Sequence, residues 1–273
     1  MIKQHLSLVK ILIHSLFKLF GFNDIDKDGI ITTITNLIYT KVGRKNGITR
    51  EKWLEKTIGQ IPSGKSILDA GAGELKYKTL CNHLKYTSQD LGEYDGIGTH
   101  EGIQMGSWDN SKLDIKSDIT NIPVPDKSFD VIMCIEVFEH ISEPALAVKE
   151  FARIIRPGGR VIITAPFCSI THFAPFYFAN GYSKYWYEKV LIQNGFTIEE
   201  IYFNGNFYEY LAQEIRNIKT VAVRYSKVNT KWWICFRLAE IIMLHALSRL
   251  SNKDKGSNEL LCFGLHIIAS KNN

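Results

Sequence analysis

Ser66-Ile67-Leu68-Asp69-Ala70-Gly71-Ala72-Gly73-Glu74 decides how the rest of the chain is read. Ile67 and Leu68 open a short apolar run that Gly71 and Gly73 stop, so the stretch reads as a strand entering a glycine turn and then a helix. Glycine serves such a turn in two ways: it accepts φ > 0, and it lets a ligand touch the backbone. Open α/β sheets bind ligands beyond the carboxyl ends of their strands, which places a binding site at this turn.

Working outward, Lys85 to Asp90 reads as a second strand and Leu113-Asp114-Ile115 as a weak third. Phe129 to Val137 and Arg160 to Ala165 are rich in Val and Ile and read as two more. Ser142 to Arg156 reads as a helix with Ser142 as N-cap and Pro157-Gly158-Gly159 as its stop, and Tyr182 to Gln193 as another, ended by Asn194-Gly195. Strands alternating with helices predict an α/β fold: a mostly parallel, doubly wound sheet with helices on both faces and right-handed crossovers.

The chain has 273 residues, 45% of them hydrophobic, and a net charge of +5. That composition excludes disordered, collagen-like and coiled-coil classes, and the charge is too small to argue for nucleic acid. Cys81, Cys134, Cys168, Cys235 and Cys262 are odd in number and scattered, which supports neither a disulfide framework nor a zinc cluster. A reducing, cytoplasmic setting follows. The apolar run from Leu6 to Phe22 is interrupted by Lys10, His14 and Lys18, so neither a membrane span nor a signal peptide is expected. Residues 1–46 read as an apolar, basic helical extension, 47–204 as the alternating core and 205–258 as a basic helical segment. A closing apolar run lies in 259–273.

Two ligand classes use a strand–glycine turn–helix. A dinucleotide loop needs G-x-G-x-x-G, and the third glycine would fall at Lys76. S-adenosylmethionine has no phosphate but carries an ammonium, a ribose and an adenine. Asp69 is placed to engage the ammonium, Asp90 the ribose diol, and Asp118, with the Ile119 N–H beside it, the adenine amino group. The Asp90 position is shared with nicotinamide enzymes and does not discriminate.

Four stretches in order carry a family resemblance: Leu68 to Gly73; Asp118-Ile119-Thr120-Asn121-Ile122-Pro123 running on to Ser128-Phe129-Asp130; Glu136-Val137-Phe138-Glu139-His140; and Arg156-Pro157-Gly158-Gly159. Over roughly Ser66 to Phe196 the chain resembles class I S-adenosylmethionine-dependent methyltransferases, nearest the ubiquinone- and menaquinone-biosynthesis group. The resemblance implies a Rossmann-like seven-stranded sheet whose last strand, Leu260 to Ala269, is antiparallel. Residues 205–258 then become a helical insertion, lid or docking element, before that strand. It implies cofactor contacts by Asp69, Gly71, Gly73, Asp90, Asp118 and Ile119, with Ile135 and Glu136 bordering the cofactor. One departure stands out: the common third loop glycine is Leu75 here.

Methyl transfer to oxygen benefits from a general base. His140 and His172 are the candidates, and no metal triad is visible. The aromatic stretch from Phe173 to Trp186 suits acceptor contacts. The acceptor is expected to be small or lipid-linked, with a sugar or quinone-like oxygen. Two alternatives stand beside this. A nicotinamide-dependent oxidoreductase or epimerase would use Tyr185 and Lys189, and a non-catalytic methyltransferase-like protein would dock on membranes. Peripheral membrane contact is suggested by the Lys3, Ser7, Lys10, His14, Lys18 stripe and by a tail with nine basic against two acidic residues between Arg216 and Gly256. Asp24-x-Asp26-x-Asp28-Gly29 imitates a calcium loop but has Thr35 where a bidentate Glu is required.

Overall fold

The computed structural model describes residues 40–227 and 230–273. Seven strands form one sheet in the order β3-β2-β1-β4-β5-β7-β6. They are β1 Ser66–Ala70, β2 Lys85–Asp90, β3 Ile115–Lys116, β4 Phe129–Ile135, β5 Ile155–Pro166, β6 Phe196–Asn204 and β7 Gly264–Lys271. The pairs among β1 to β5 are parallel, and β7 runs antiparallel between β5 and β6. This is the Rossmann-like sheet the sequence predicts.

Successive side chains of a strand face opposite ways, and β4 shows how that builds two cores. Ile132 and Cys134 pack with Phe151 and Ile154 on one face, while Val131 and Met133 pack with Leu54 and Ile58 on the other. Helices α2 (Pro144–Ile154) and α3 (Lys184–Gln193) cover the first face. The second is covered by α1 (Asn46–Gly59) and a 3₁₀ turn, Lys78–Cys81. Each aliphatic side chain fully buried here contributes about 1.5–3 kcal/mol.

Between β6 and β7 come α4 (Phe207–Tyr225) and α5 (Thr230–Ser251), the expected helical insertion. Val42 joins Ala212 and Leu244 in a small third cluster. Glu209, buried at the start of α4, accepts from the Gly43 N–H at 2.7 Å and from Lys45 Nζ at 3.2 Å. The end of the first segment is thus tied to the insertion. The N-terminal basic stripe and the calcium-like Asp24–Gly29 turn lie outside the described residues. None of the described helices is long and apolar enough to cross a membrane.

Several sequence expectations are corrected. The helix expected straight after the glycine turn is absent. Leu75 stands at φ 62, a left-handed conformation that a right-handed helix cannot contain. Only the 3₁₀ turn fits before β2, and α1, from before β1, fills the layer instead. Helix α2 begins at Pro144 with Glu143 in the cap position and no side-chain cap bond, so Ser142 is not its N-cap. Pro157-Gly158-Gly159 lies inside β5, where the register against β4 shifts, because the chain passes from α2 directly into the strand at Ile155. β4 ends at Ile135, since Glu136 turns to φ 57. α3 starts at Lys184, after Gly181 at φ 145 has turned the chain. β7 starts at Gly264, preceded by a 3₁₀ turn over Ser257–Glu259.

Candidate active site

One cavity of about 810 Å³ opens at the carboxyl ends of β1, β2 and β4. Asp69, Gly71, Gly73, Asp90, Asp118, Ile119, Ile135 and Glu136 all line it, as does His140. The volume falls in the range of small-molecule sites. His172 does not line it, but its ring sits edge-on to that of His140, with centroids 4.7 Å apart.

The glycine turn is shaped by close approach. A Cβ on Gly71 (φ 81) would meet the Val137 side chain at 2.4 Å, and one on Gly73 (φ 49) would meet the Trp108 ring at 2.5 Å. Leu75 occupies the position where the family's third glycine is common, and it keeps the positive φ that glycine would adopt.

The carboxylates differ in environment. Asp69 is fully buried. Burial raises its carboxyl to about 7, against the hydrogen bond that the Tyr86 hydroxyl donates at 2.7 Å, and nearby Asp90 raises it further. Asp90 accepts from the Gly73 N–H at 3.0 Å and the Gly92 N–H at 2.9 Å, so the ends of β1 and β2 are stitched together. Asp118 caps its own turn, accepting from the Thr120 N–H and hydroxyl, both at 2.8 Å. Glu136 accepts from the Thr164 hydroxyl at 2.8 Å and pairs with Arg50 of α1 at 2.6 Å. Burial works against the charge on Arg50, yet Glu136, Tyr77 and Glu139 together outweigh it and its pKa is raised. Glu136 is therefore an ion-paired wall of the cavity. Burial lowers His140 to about 4, and the neighbouring His172 adds to the effect. A free imidazole that weak is a poor base near neutral pH.

Sequence reasoning missed the roof. The long connection between β2 and β3 folds back over the cavity and brings Tyr94, Met105 and Trp108 to it. Tyr94 stacks on Phe173 at 4.6 Å, and Trp108 meets both rings edge-on. The same connection pairs with the segment after β5. Ile103 N–H donates to Thr171 O, Phe173 N–H to Ile103 O, and Thr99 N–H to Ala174 O. Gly98 permits that contact, because a Cβ there would lie 1.9 Å from Ala174 O. The only trace in the sequence is the glycine density from Gly92 to Gly106. Arg50 was also missed, since nothing local marks it. Tyr185, part of the alternative oxidoreductase pair, is 68% exposed on α3 and does not line the cavity.

Residues 68–163, from β1 into β5, match the family described as methyltransferase domain. Over this segment, about a third of its length, the chain is similar to that family. The ubiquinone biosynthesis O-methyltransferase of Bordetella bronchiseptica is 30% identical over 121 residues, which cover 41% of this chain and 46% of that protein. The chain thus matches about half the length of that curated relative. The tRNA (carboxymethyluridine(34)-5-O)-methyltransferase of Arabidopsis thaliana is 32% identical over 110 residues, covering 39% of this chain and 25% of that one. Among solved structures, the [4+2]-cyclase SpnF superposes with a TM-score of 0.50 at 15% identity, covering 84% of each chain, which shows the shared fold. The strand order, with antiparallel β7 inserted between β5 and β6, is that of the class I methyltransferase fold.

Proposed function

We propose that the chain is an S-adenosylmethionine-dependent methyltransferase acting on an oxygen of a small or lipid-linked acceptor. The observation that carries this is the convergence of Asp69, Asp90 and Asp118, from three separate strand ends, on one cavity. Their wall is rich in acceptors. Gln89, fully buried beside them, donates through Nε2 to Ser117 O, and its Oε1 has no partner among the described residues. A ligand offering an ammonium, a ribose diol and an adenine amine suits such a wall, whereas a pyrophosphate would face carboxylates. Arg50 supports the same fit, because its buried Nε has no partner among the described residues and can donate to the ligand's carboxylate.

In this reading Asp69 holds the ammonium, Asp90 the ribose hydroxyls and Asp118 the adenine edge, with Ile119 and Ile135 packing beside the base. The cofactor supplies a methyl already activated on a sulfonium. The protein's task is to align acceptor oxygen, methyl and sulfur and to keep water out. Tyr94, Trp108 and Phe173 form the cover that does so. Calorimetry with S-adenosylmethionine tests the reading: saturable one-to-one binding, weakened by Asp90→Ala, is expected, while silence at millimolar ligand would sink it.

The acceptor's lipid character has its own support. Val221, Val223, Leu238 and Met243 of the insertion are exposed apolar side chains on a basic segment. Among the described residues three of its cations are already engaged, Arg237 by pairing with Glu240. Arg216 donates to Thr40 O and Val42 O, and Arg224 to His100 O and Gly102 O. Co-sedimentation with vesicles containing anionic lipid, compared with neutral ones, measures whether the remainder suffices.

A further inference from the structure

We infer that Tyr86 is the positioning residue for the cofactor's ammonium: its hydroxyl holds one oxygen of Asp69 and leaves the other for the ligand. The sheet brings the two side chains together. Register sets Asp69 of β1 opposite Ser88 of β2, and Ile67 opposite Tyr86. Tyr86 and Ser88 are two residues apart, so both stand on the face that Asp69 shares. The Tyr86 ring packs against the cluster of Leu54, Ile58 and Ile67, and Lys78 Nζ lies 5.7 Å from its centroid. From that seat the hydroxyl reaches forward to Asp69 Oδ2 at 2.7 Å. Oδ1 has no donor among the described residues, and Asp69 lines the cavity. A carboxylate held at one oxygen keeps the direction of the other, which is the orientation a bound ammonium requires.

The phenol has a single proton to give, and it does not lose it. Burial, together with the charge of Asp69, pushes Tyr86 well above the ordinary phenol value, so the hydroxyl donates throughout the neutral range. Donation favours the ionised form of Asp69, against burial and against Asp90. The other groups that face this carboxylate give it no such support. Cys81 of the 3₁₀ turn is pushed up to about 12 by burial, and burial also raises Cys134 of β4, so both thiols are neutral. Asp114, which precedes β3, accepts from the N–H and hydroxyl of Ser88. Arg50 of α1 shares the cavity, but its charge is paired with Glu136. Among the described residues, Tyr86 is thus the one donor bonded to the Asp69 carboxylate.

This role rests on the methyltransferase reading. An ammonium gains from Asp69 only when that group is ionised, and Tyr86 keeps it so near neutral pH. The hydroxyl never meets the reacting atoms. Its removal should therefore raise KM for the cofactor and leave kcat at saturating cofactor nearly unchanged.

The test is calorimetry of the full chain with S-adenosylmethionine from pH 5.5 to 9. Affinity should rise with pH as Asp69 ionises and fall again as the ligand's α-amino group, ordinarily near pH 8, loses its proton. Tyr86→Phe keeps the ring and loses the donor. It should move the rising limb up by about one pH unit and weaken binding about tenfold at pH 7, the worth of one hydrogen bond to a charged group. Tyr86→Leu, a second variant without hydroxyl or ring, should shift the limb likewise. 5′-Methylthioadenosine, the same nucleoside without the amino-acid end, should bind both variants as it binds the parent chain. In an Asp69→Asn background, Tyr86→Phe should cost no further affinity. An unmoved rising limb, or equal loss of both ligands, overturns the role of Tyr86 while S-adenosylmethionine binding by the parent chain upholds the reading beneath it. A parent chain that binds no S-adenosylmethionine overturns both.

Discussion

Asp69 is the residue whose chemistry is most altered by its position. Its ordinary carboxyl pKa is 3.8 and burial in β1 brings it to about 7. A raised folded pKa means that the ionised form is disfavoured in the fold, so this residue lowers stability progressively as pH rises from about 4 to about 7. An ammonium beside it needs the ionised form. S-adenosylmethionine affinity should therefore fall as pH drops from 8 to 6, by up to about tenfold per unit below the pKa. Asp69→Asn should flatten that dependence, bind the cofactor more weakly and melt higher at pH 8, as calorimetry and thermal unfolding will measure. Gly71 makes a second prediction. Alanine there adds a Cβ 2.4 Å from Val137 at φ 81. The left-handed backbone alone costs about 1–2 kcal/mol, and the overlap adds to it. Val137→Ala should relieve the overlap but not the backbone cost, which a double-mutant cycle separates.

At the level of elements, the start of the sheet hangs on Asp130. It accepts from the Ser66 N–H and hydroxyl, both at 2.9 Å, and pairs with Lys65 and Arg156, which joins β1 to β4. Partial burial opposes its charge, but those donors hold its carboxyl well below the ordinary value. A depressed folded pKa gives stability that is complete above about pH 4 and lost as pH falls towards the folded value. Asp130→Ala should lose about 1–3 kcal/mol at pH 7 and progressively less below pH 4, read by denaturant unfolding. The roof is clipped in another way. Arg224 of α4 donates to His100 O at 2.6 Å and to Gly102 O. Arg224→Ala should speed amide exchange across residues 97–103 while changing global stability by no more than about 1 kcal/mol, because the residue is exposed.

For the whole molecule, the cofactor should act as a stabiliser. At about 100 times its Kd, a ligand that binds only the folded state adds about 2.7 kcal/mol, and domains of 150–250 residues gain roughly 2–4 °C per kcal/mol, so a Tm rise of about 5–10 °C is expected. The parallel strands and the acidic strand ends were legible in the chain because strand periodicity and the glycine turn are local signals, whereas the antiparallel last strand was implied only by the family resemblance. Asp69, Gly71, Gly73, Asp90 and Asp118 could be named from their places in those signals, and all line the cavity. What no local pattern carries is contact between distant segments. Trp108 over Gly73, Arg50 against Glu136, and Glu139 facing both His140 and His172 arise only when α1 and the connections after β2, β4 and β5 fold onto one edge of the sheet. Sequence alone determined which residues stand at the turn and the strand ends, since backbone geometry there depends on near neighbours. Tertiary packing decided what else surrounds that place, since burial and convergence depend on residues far apart along the chain.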